Sequence, residues 1–157
     1  MEGFTLTRAD QTDVPAIQSM VRAAYTKYIP RIGKEPAPMK ADYSKLIDSH
    51  IVYVVRHDES GETVGSIVLR HDPVIATLHI NNLVVDQAAQ GRGFGRALMQ
   101  CAEDVAREHG CGMLQLFTNV KMYENLVLYP KMGFAEIERR TEDGYERVYF
   151  RKELHWE

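Results

Sequence analysis

The segment Gln90-Gly-Arg-Gly-Phe-Gly-Arg96 places three glycines within five positions, after an apolar run and at the head of an amphipathic stretch. Each glycine inside a helix costs about 1 kcal/mol against alanine, so helix stability does not explain them. They suit a backbone that lacks Cβ atoms, takes positive φ and approaches a ligand closely. Free N–H groups at a helix start point outward, and the helix dipole there favours an anion. Arg92 and Arg96 add positive charge. Hydrogen bonds to charged groups contribute roughly 1.5–3 kcal/mol each, so several together hold a diphosphate firmly. The dinucleotide pattern GxGxxG fails because its third glycine would fall on Arg96, and no Gly-Lys-Ser/Thr of the Walker type occurs.

The flanking sequence sets this loop in a defined order of elements. Phe4 to Thr7 alternates apolar and polar residues and predicts a short first strand. Asp10 or Thr12 caps the helix that follows, Pro15 sits in its permissive first turn, and Ile17, Met20, Val21, Ala24, Tyr25 and Tyr28 recur at helical spacing. Prolines 30, 36 and 38 fix φ and remove donors, so 30–38 is expected as a structured loop before a short helix near Asp42 to Asp48. Ile51 to His57 and Glu62 to Arg70 read as strands joined by the turn Asp58-Glu-Ser-Gly61. The apolar run Val74 to Val85 predicts a central strand, interrupted by a bulge at Asn81-Asn82 because two amides are unusual in a strand interior.

A second amphipathic helix spans 93–109 and ends at Gly110, followed by a buried strand from Met113 to Thr118. A shorter helix from Val120 to Met132 stops at Gly133, and a hairpin through Asp143-Gly144 joins Phe134–Arg140 to Tyr145–Lys152. The expected fold is α+β: a mixed, mostly antiparallel central sheet flanked by helices, with one parallel strand–helix–strand crossover.

Composition narrows the function classes. The 157 residues match one domain, taken as residues 1–157. A net charge of −3 gives no basic face, so nucleic acid is not an expected partner. No apolar run approaches the roughly 18 residues that span a bilayer, and the first residues lack the apolar core of a secretory signal, so no membrane association is expected. Cys101 and Cys111 form neither a disulfide framework nor a CxxC pair, which fits reduced thiols in the cytoplasm. The histidines show no metal-ligand spacing, so no metal is expected.

The stretch VVDQAAQGRGFGRALMQCAED, with Gln90-Gly-Arg-Gly93-Phe-Gly95 at its centre, resembles the coenzyme A motif of the GNAT N-acetyltransferase superfamily. Asn125-Leu-Val-Leu-Tyr129-Pro-Lys-Met-Gly-Phe134 is similar to the superfamily's second signature. Together they cover roughly 80–134, and the element order agrees over nearly the whole chain. The resemblance implies acetyl-CoA as co-substrate, with its diphosphate on Gln90, Gly91, Arg92, Gly93, Phe94, Gly95 and Arg96. It implies two central strands that splay apart, with the pantetheine arm added along Leu83, Val84 and Val85. It also implies a tyrosine beside the coenzyme sulfur, which is Tyr129 here.

The superfamily's usual asparagine lies seven residues before that tyrosine, where this chain has Met122; Asn119 and Asn125 flank it and are the candidates for its hydrogen bond to the arm. Pro130 inside the helix predicts an early, kinked end that helps aim Tyr129.

A small-molecule or peptide amine is the implied acceptor. An amine with a pKa near 10.4 is only about one part in 10³ neutral at pH 7, so its proton needs a route out. The usual acidic residue before the bulge is replaced by Asn81, which is no base. His79, two residues earlier, is tuned for that role; Glu124 and a water chain are the other routes. In this fold the first helix and the loop after it line the substrate mouth, which nominates Tyr25, Tyr28 and Arg31; Asn81, at the bulge, is expected on the substrate side with them. A non-catalytic acyl-CoA-binding or sensor protein of the same fold is the alternative reading. A homodimer is the default assembly.

Overall fold

The computed structural model describes residues 2–156. Strand β1 (Phe4–Arg8) leads through Asp10, whose carboxylate accepts from the Thr12 amide while Asp13 accepts from the Asp10 amide. This reciprocal cap starts a 3-10 turn that runs into helix α1 (Val14–Tyr25), with Pro15 in its first turn.

The Pro-rich segment is not the non-helical loop expected of it. Pro30 sits in the first turn of helix α2 (Ile29–Ile32) and Pro38 in the first turn of helix α3 (Ala37–Lys40). A proline at a helix start removes no hydrogen bond, so each proline begins a turn that its neighbours then end. Helix α4 (Tyr43–Ser49) follows, capped by Asp42.

Strands β2 (Ile51–His57), β3 (Thr63–Asp72) and β4 (Thr77–Val85) form the antiparallel meander. β4 starts three residues later than the apolar run suggested. Val74–Ala76 form a turn in which Asp72 accepts from the Val74 amide, and Val74 is 90% exposed. Hydrophobicity alone did not reveal a local side-chain cap competing with the strand.

Helix α5 (Phe94–Glu108) crosses to strand β5 (Met113–Asn119), which pairs with β4 in parallel. Helix α6 (Tyr123–Lys131) starts later than the expected Val120, because Asn119 turns the chain by accepting from the Lys121 amide. Strands β6 (Ala135–Glu142) and β7 (Tyr145–Glu153) close the seven-stranded sheet in the order β1-β2-β3-β4-β5-β7-β6.

Two apolar layers hold the sheet. On one face Leu98, Ala102 and Val105 of α5 pack with Leu69, Leu78 and Leu114. On the other face Ile17 and Val21 of α1 pack with Val52, Val54, Val68 and Val84. These side chains are almost completely buried, which at about 25 cal/mol per Å² of apolar surface is the main stabilising contribution.

Two irregularities position the site. In β4, Ile80 pairs with Leu69 and Asn82 with Val68, so Asn81 is a bulge with no partner on β3. The parallel ladder joins only Thr77–Ile80 to Met113–Leu116. Beyond Ile80 the strands part, and β5 continues only with β7.

Candidate active site

Two hollows meet where β4 and β5 part. One, of about 910 Å³ including space open to solvent, is lined by Leu83 and Val85 of β4, by Gln90, Gly91, Gly93, Phe94 and Gly95 of the loop, and by Tyr129 and Met132 of α6. The other, of about 550 Å³ on the same measure, is lined by Tyr25, Pro36–Pro38, Asn81, Asn82, Thr118, Asn119, Tyr145 and Arg147 among others. Leu83, Asn125 and Tyr129 line both. The splay thus makes a passage between two compartments with Tyr129 at the junction.

The loop has the conformation that its glycines predict. Gly91 (φ +81°) and Gly93 (φ +89°) both take left-handed backbone, and a Cβ at either would meet nothing within 4 Å. Their close neighbourhood is therefore open space rather than packing. The amides of Gly91, Arg92 and Gly93 donate to no described residue, and the first N–H groups of α5 have no helical partner by construction. This is a run of bare donors facing a hollow, which fits a diphosphate in geometry and charge.

Arg92 and Arg96 do not line that hollow. The Arg92 guanidinium lies 5.0 Å from the Phe4 ring and 5.6 Å from the Phe94 ring, outside the cradle. Lys27, which the sequence reading did not single out, lines the hollow instead.

The end of α6 fixes Tyr129. The Phe134 amide donates to Tyr129 O (3.1 Å) and the Gly133 amide to Pro130 O (3.1 Å), with Gly133 at φ +95°. This is a Schellman cap, in which the Tyr129 carbonyl accepts the outer of the two bonds. Its ring packs edge-on against Phe134 (5.9 Å) and against Phe150 (5.8 Å). Burial pushes its phenol up to about 12, with the neighbouring Tyr28 adding to the shift. Tyr129 is therefore protonated throughout the neutral range. Burial also lifts the Tyr25 phenol well above its ordinary value, with Tyr129 as the next contributor.

Asn125 donates from Nδ2 to Thr118 Oγ1 (3.0 Å) and lines both hollows, whereas Asn119 uses its carbonyl in the turn to Lys121. Of the two candidate asparagines, Asn125 is the one placed along the passage. Met122 fills the intervening position and is buried.

The candidate bases lie elsewhere. His79 lines a third hollow with Arg70, Gln115, Arg140, Glu142 and Tyr149, which shares Ile80, Asn81, Leu116 and Phe117 with the second, and its Nε2 is 3.8 Å from Asp72. Burial holds its pKa down, with Arg70 contributing, so it is neutral at pH 7, but it does not line the passage with Tyr129. His79 and Asn81 line the third hollow together, as alternation along the strand predicts. Glu124 receives the Arg31 guanidinium in a two-pronged pair at 2.8 and 3.0 Å, and Arg31 holds its carboxyl down at about 2. Tyr28 Oη donates to the same carboxylate at 3.4 Å. Arg31 therefore clamps α2 to α6, and Tyr28 sits beneath it with its ring 5.1 Å from the guanidinium. Neither is free for a substrate carboxylate; Tyr25 and Asn81 do face the second hollow.

Sequence reasoning missed Asn82, Tyr145 and Arg147 in that hollow. The signal was present in β7, where alternation puts Arg147 on one face with Tyr145 and Tyr149; a cation between inward tyrosines marks a polar pocket rather than a solvated strand. Among the described residues no group of three or more His, Cys, Asp or Glu is arranged for a metal ion, and no helix is long and apolar enough to cross a membrane.

Residues 15–134 match the model of the acetyltransferase (GNAT) family. The chain belongs to this family. Mycothiol acetyltransferase of Jonesia denitrificans is 34% identical over 143 residues, which is 89% of this chain and 46% of that protein. Glucosamine 6-phosphate N-acetyltransferase of Trypanosoma brucei brucei is 33% identical over 95 residues, covering 57% of this chain and 63% of the relative. The chain thus spans about half the length of the mycothiol enzyme. In fold it is similar to a GNAT family acetyltransferase from Elizabethkingia anophelis with acetyl-CoA bound (TM-score 0.74, 20% identity, 98% and 100% of the two chains covered). It is also similar to the ribosomal-protein-S18-alanine N-acetyltransferase from Escherichia coli (TM-score 0.76, 19% identity, 98% and 96% covered). These GNAT-fold neighbours share the mixed sheet with its one parallel pair.

Proposed function

We propose that residues 1–157 act as one acetyltransferase domain that moves an acetyl group from acetyl-CoA to a primary amine by direct attack in a ternary complex. The observation that carries this reading is the meeting of two hollows at Tyr129: one has the bare amides suited to a diphosphate, and the other is a polar pocket on the far side of the splay. Family membership and the acetyl-CoA seen in a fold neighbour support the co-substrate.

The roles follow from the chemistry. The amides from Gly91 to Arg96, with Lys27 nearby, bind the diphosphate. The edge of β4 from Leu83 to Val85, which lacks a strand partner toward β5, takes the pantetheine arm as an added strand, and Asn125 lies alongside it. The amine nitrogen attacks the thioester carbonyl; the C–N bond forms, the C–S bond breaks, and Tyr129 Oη gives its proton to the departing sulfur. A buried phenol is a weak acid, but a thiolate in the same dry junction is raised by the same burial, so the two stay matched. Tyr129 regains its proton from solvent.

The amine's own proton leaves through water. His79 lines neither of the hollows that Tyr129 joins, and the Glu124 carboxylate is occupied by Arg31. The acceptor therefore reacts as the small neutral fraction already present, and that fraction grows tenfold per pH unit below the amine's pKa. The relatives' names point to small amines as the acceptor class.

The test is to incubate the chain with acetyl-CoA and a panel of primary amines while following free thiol. Thiol release that depends on the amine supports the transferase reading. Tight acetyl-CoA binding with no release above solvent hydrolysis would establish an acyl-CoA-binding protein instead.

A further inference from the structure

Arg147 lines the second hollow, and it is the only charged side chain among the described residues that do so. Its side chain is only 8% exposed. A guanidinium carries five N–H donors, and a buried one is expected to have them satisfied. Here Arg147 makes no hydrogen bond to any described residue. Its ion contacts, to Glu142 at 3.3 Å and Asp143 at 3.8 Å, both run through Nη1, and both carboxylates lie outside the hollow. The guanidinium stacks at 4.1 Å on the Phe117 ring, which holds its plane in place. The result is a largely buried fork, held in place, whose Nε and Nη2 donors bond to no described residue, beside a pocket whose described lining holds no anion.

A second group in the same hollow is also incomplete. Tyr43 Oη donates to Pro38 O (2.9 Å), so it can only accept from Asn82, and Asn82 Nδ2 donates to it at 3.2 Å. That assigns the other atom of the amide as Oδ1, a buried acceptor with no partner on a residue only 9% exposed. Asn82 adjoins the bulge, beside the point where β4 and β5 part.

A guanidinium fork with free N–H groups and a buried acceptor left open in one small pocket call for a ligand that has both an oxyanion and N–H groups. We propose that the acceptor is a small primary amine that also carries an oxyanion, a carboxylate or a phosphate, with Arg147 holding the oxyanion and Asn82 Oδ1 accepting a hydrogen bond from the amine. This deepens the transferase reading and rests on it. Arg147 is then the residue that selects the acceptor, and Asn82 presents the nitrogen toward the junction at Tyr129.

The test uses matched pairs of amines that differ only in the anion: β-alanine against β-alaninamide, and 2-aminoethyl phosphate against ethanolamine. Thiol release gives kcat/KM for each on the wild-type chain. The expected preference for the anionic member is about ten- to hundredfold, the worth of one charge-assisted pair. A preference in one pair alone identifies the oxyanion and supports the assignment.

Arg147→Gln is expected to bring that ratio close to one while its melting temperature and its acetyl-CoA affinity stay near wild type; Arg147→Lys, which keeps the charge but not the fork, falls between. Asn82→Leu is expected to raise KM for both members of a pair alike. Equal or better turnover of the neutral members in both pairs overturns the proposal and leaves the transferase reading standing. No thiol release with any of the four also overturns it, and calorimetry with acetyl-CoA then shows whether the transferase reading falls with it.

Discussion

Gly133→Ala tests how the helix end controls the chemistry. Gly133 holds φ at +95°, and a Cβ there would lie 3.2 Å from Lys152 Cε, the far end of a flexible side chain. The contact is easily relieved, so the main cost is the left-handed backbone, about 1–2 kcal/mol for an L-residue. At about 2–4 °C per kcal/mol for a chain of this size, the melting temperature should fall by roughly 2–8 °C.

Gly110→Ala supplies the matched control. Gly110 ends α5 at φ +69° with nothing within 4 Å, and its cap has the same pattern: the Cys111 amide donates to Ala106 O and the Gly110 amide to Arg107 O. The strain is the same, but this cap leads into the Met113 end of β5, where β4 and β5 are still paired, and it does not hold Tyr129. Thermal unfolding and thiol release are measured on both variants. Both should lose similar stability, but only Gly133→Ala should lose turnover, by about tenfold or more, because its cap holds Tyr129 and small misplacements cost up to about 10²-fold. If Gly133→Ala melts like wild type, the strain argument is wrong. If it melts early but turns over normally, the cap does not place Tyr129.

Three further expectations concern the junction and the groups around it. Tyr129→Phe should lower kcat by about 10² while leaving acetyl-CoA affinity within about twofold, checked by steady-state kinetics and calorimetry; unchanged kcat removes its role as acid. Because burial lifts the phenol to about 12, the wild-type rate should show no descending limb from Tyr129 between pH 8 and 10. His79→Ala should leave the pH profile of kcat/KM unaltered, rising with a slope near one toward the amine's own pKa; a limb near 6–7 that vanishes in the variant would restore His79 as the base.

Glu124 is held at about 2 against an ordinary 4.5, so its ionised form stabilises the fold above about pH 4.5 and that contribution is lost as pH falls toward 2. Glu124→Gln should therefore differ from wild type in urea unfolding at pH 7 but not near pH 2. The difference should stay below about 1 kcal/mol, because the carboxylate is half exposed and screened. An equal difference at both pH values would show that the pair with Arg31 is not its source.

Backbone requirements were the most legible part of the sequence. Gly91 and Gly93 announce a positive-φ loop, Gly133 a helix end, and Asn81-Asn82 a bulge, because each residue type is restricted by its own covalent structure. Side-chain partners were harder to read. Arg31 looked like a residue of the substrate mouth, but Glu124, 93 residues away, takes it in a pair that only the folded chain creates. His79 shares a hollow with Asn81, as its spacing suggests, but only the folded chain shows that Tyr129 does not line that hollow. Arg92 seemed a phosphate ligand, but its planar guanidinium finds the Phe4 and Phe94 rings first. The prolines misled in the other direction, since position within a turn decides whether proline breaks a helix or starts one.

Calorimetric titration with acetyl-CoA, of the wild-type chain beside Gly93→Glu, probes the diphosphate cradle most directly. A glutamate at φ +89° strains the loop and sets a carboxylate among the bare amides. Micromolar binding by wild type and none by the variant, with both folded by circular dichroism, is the predicted result; comparable binding by the two would contradict it.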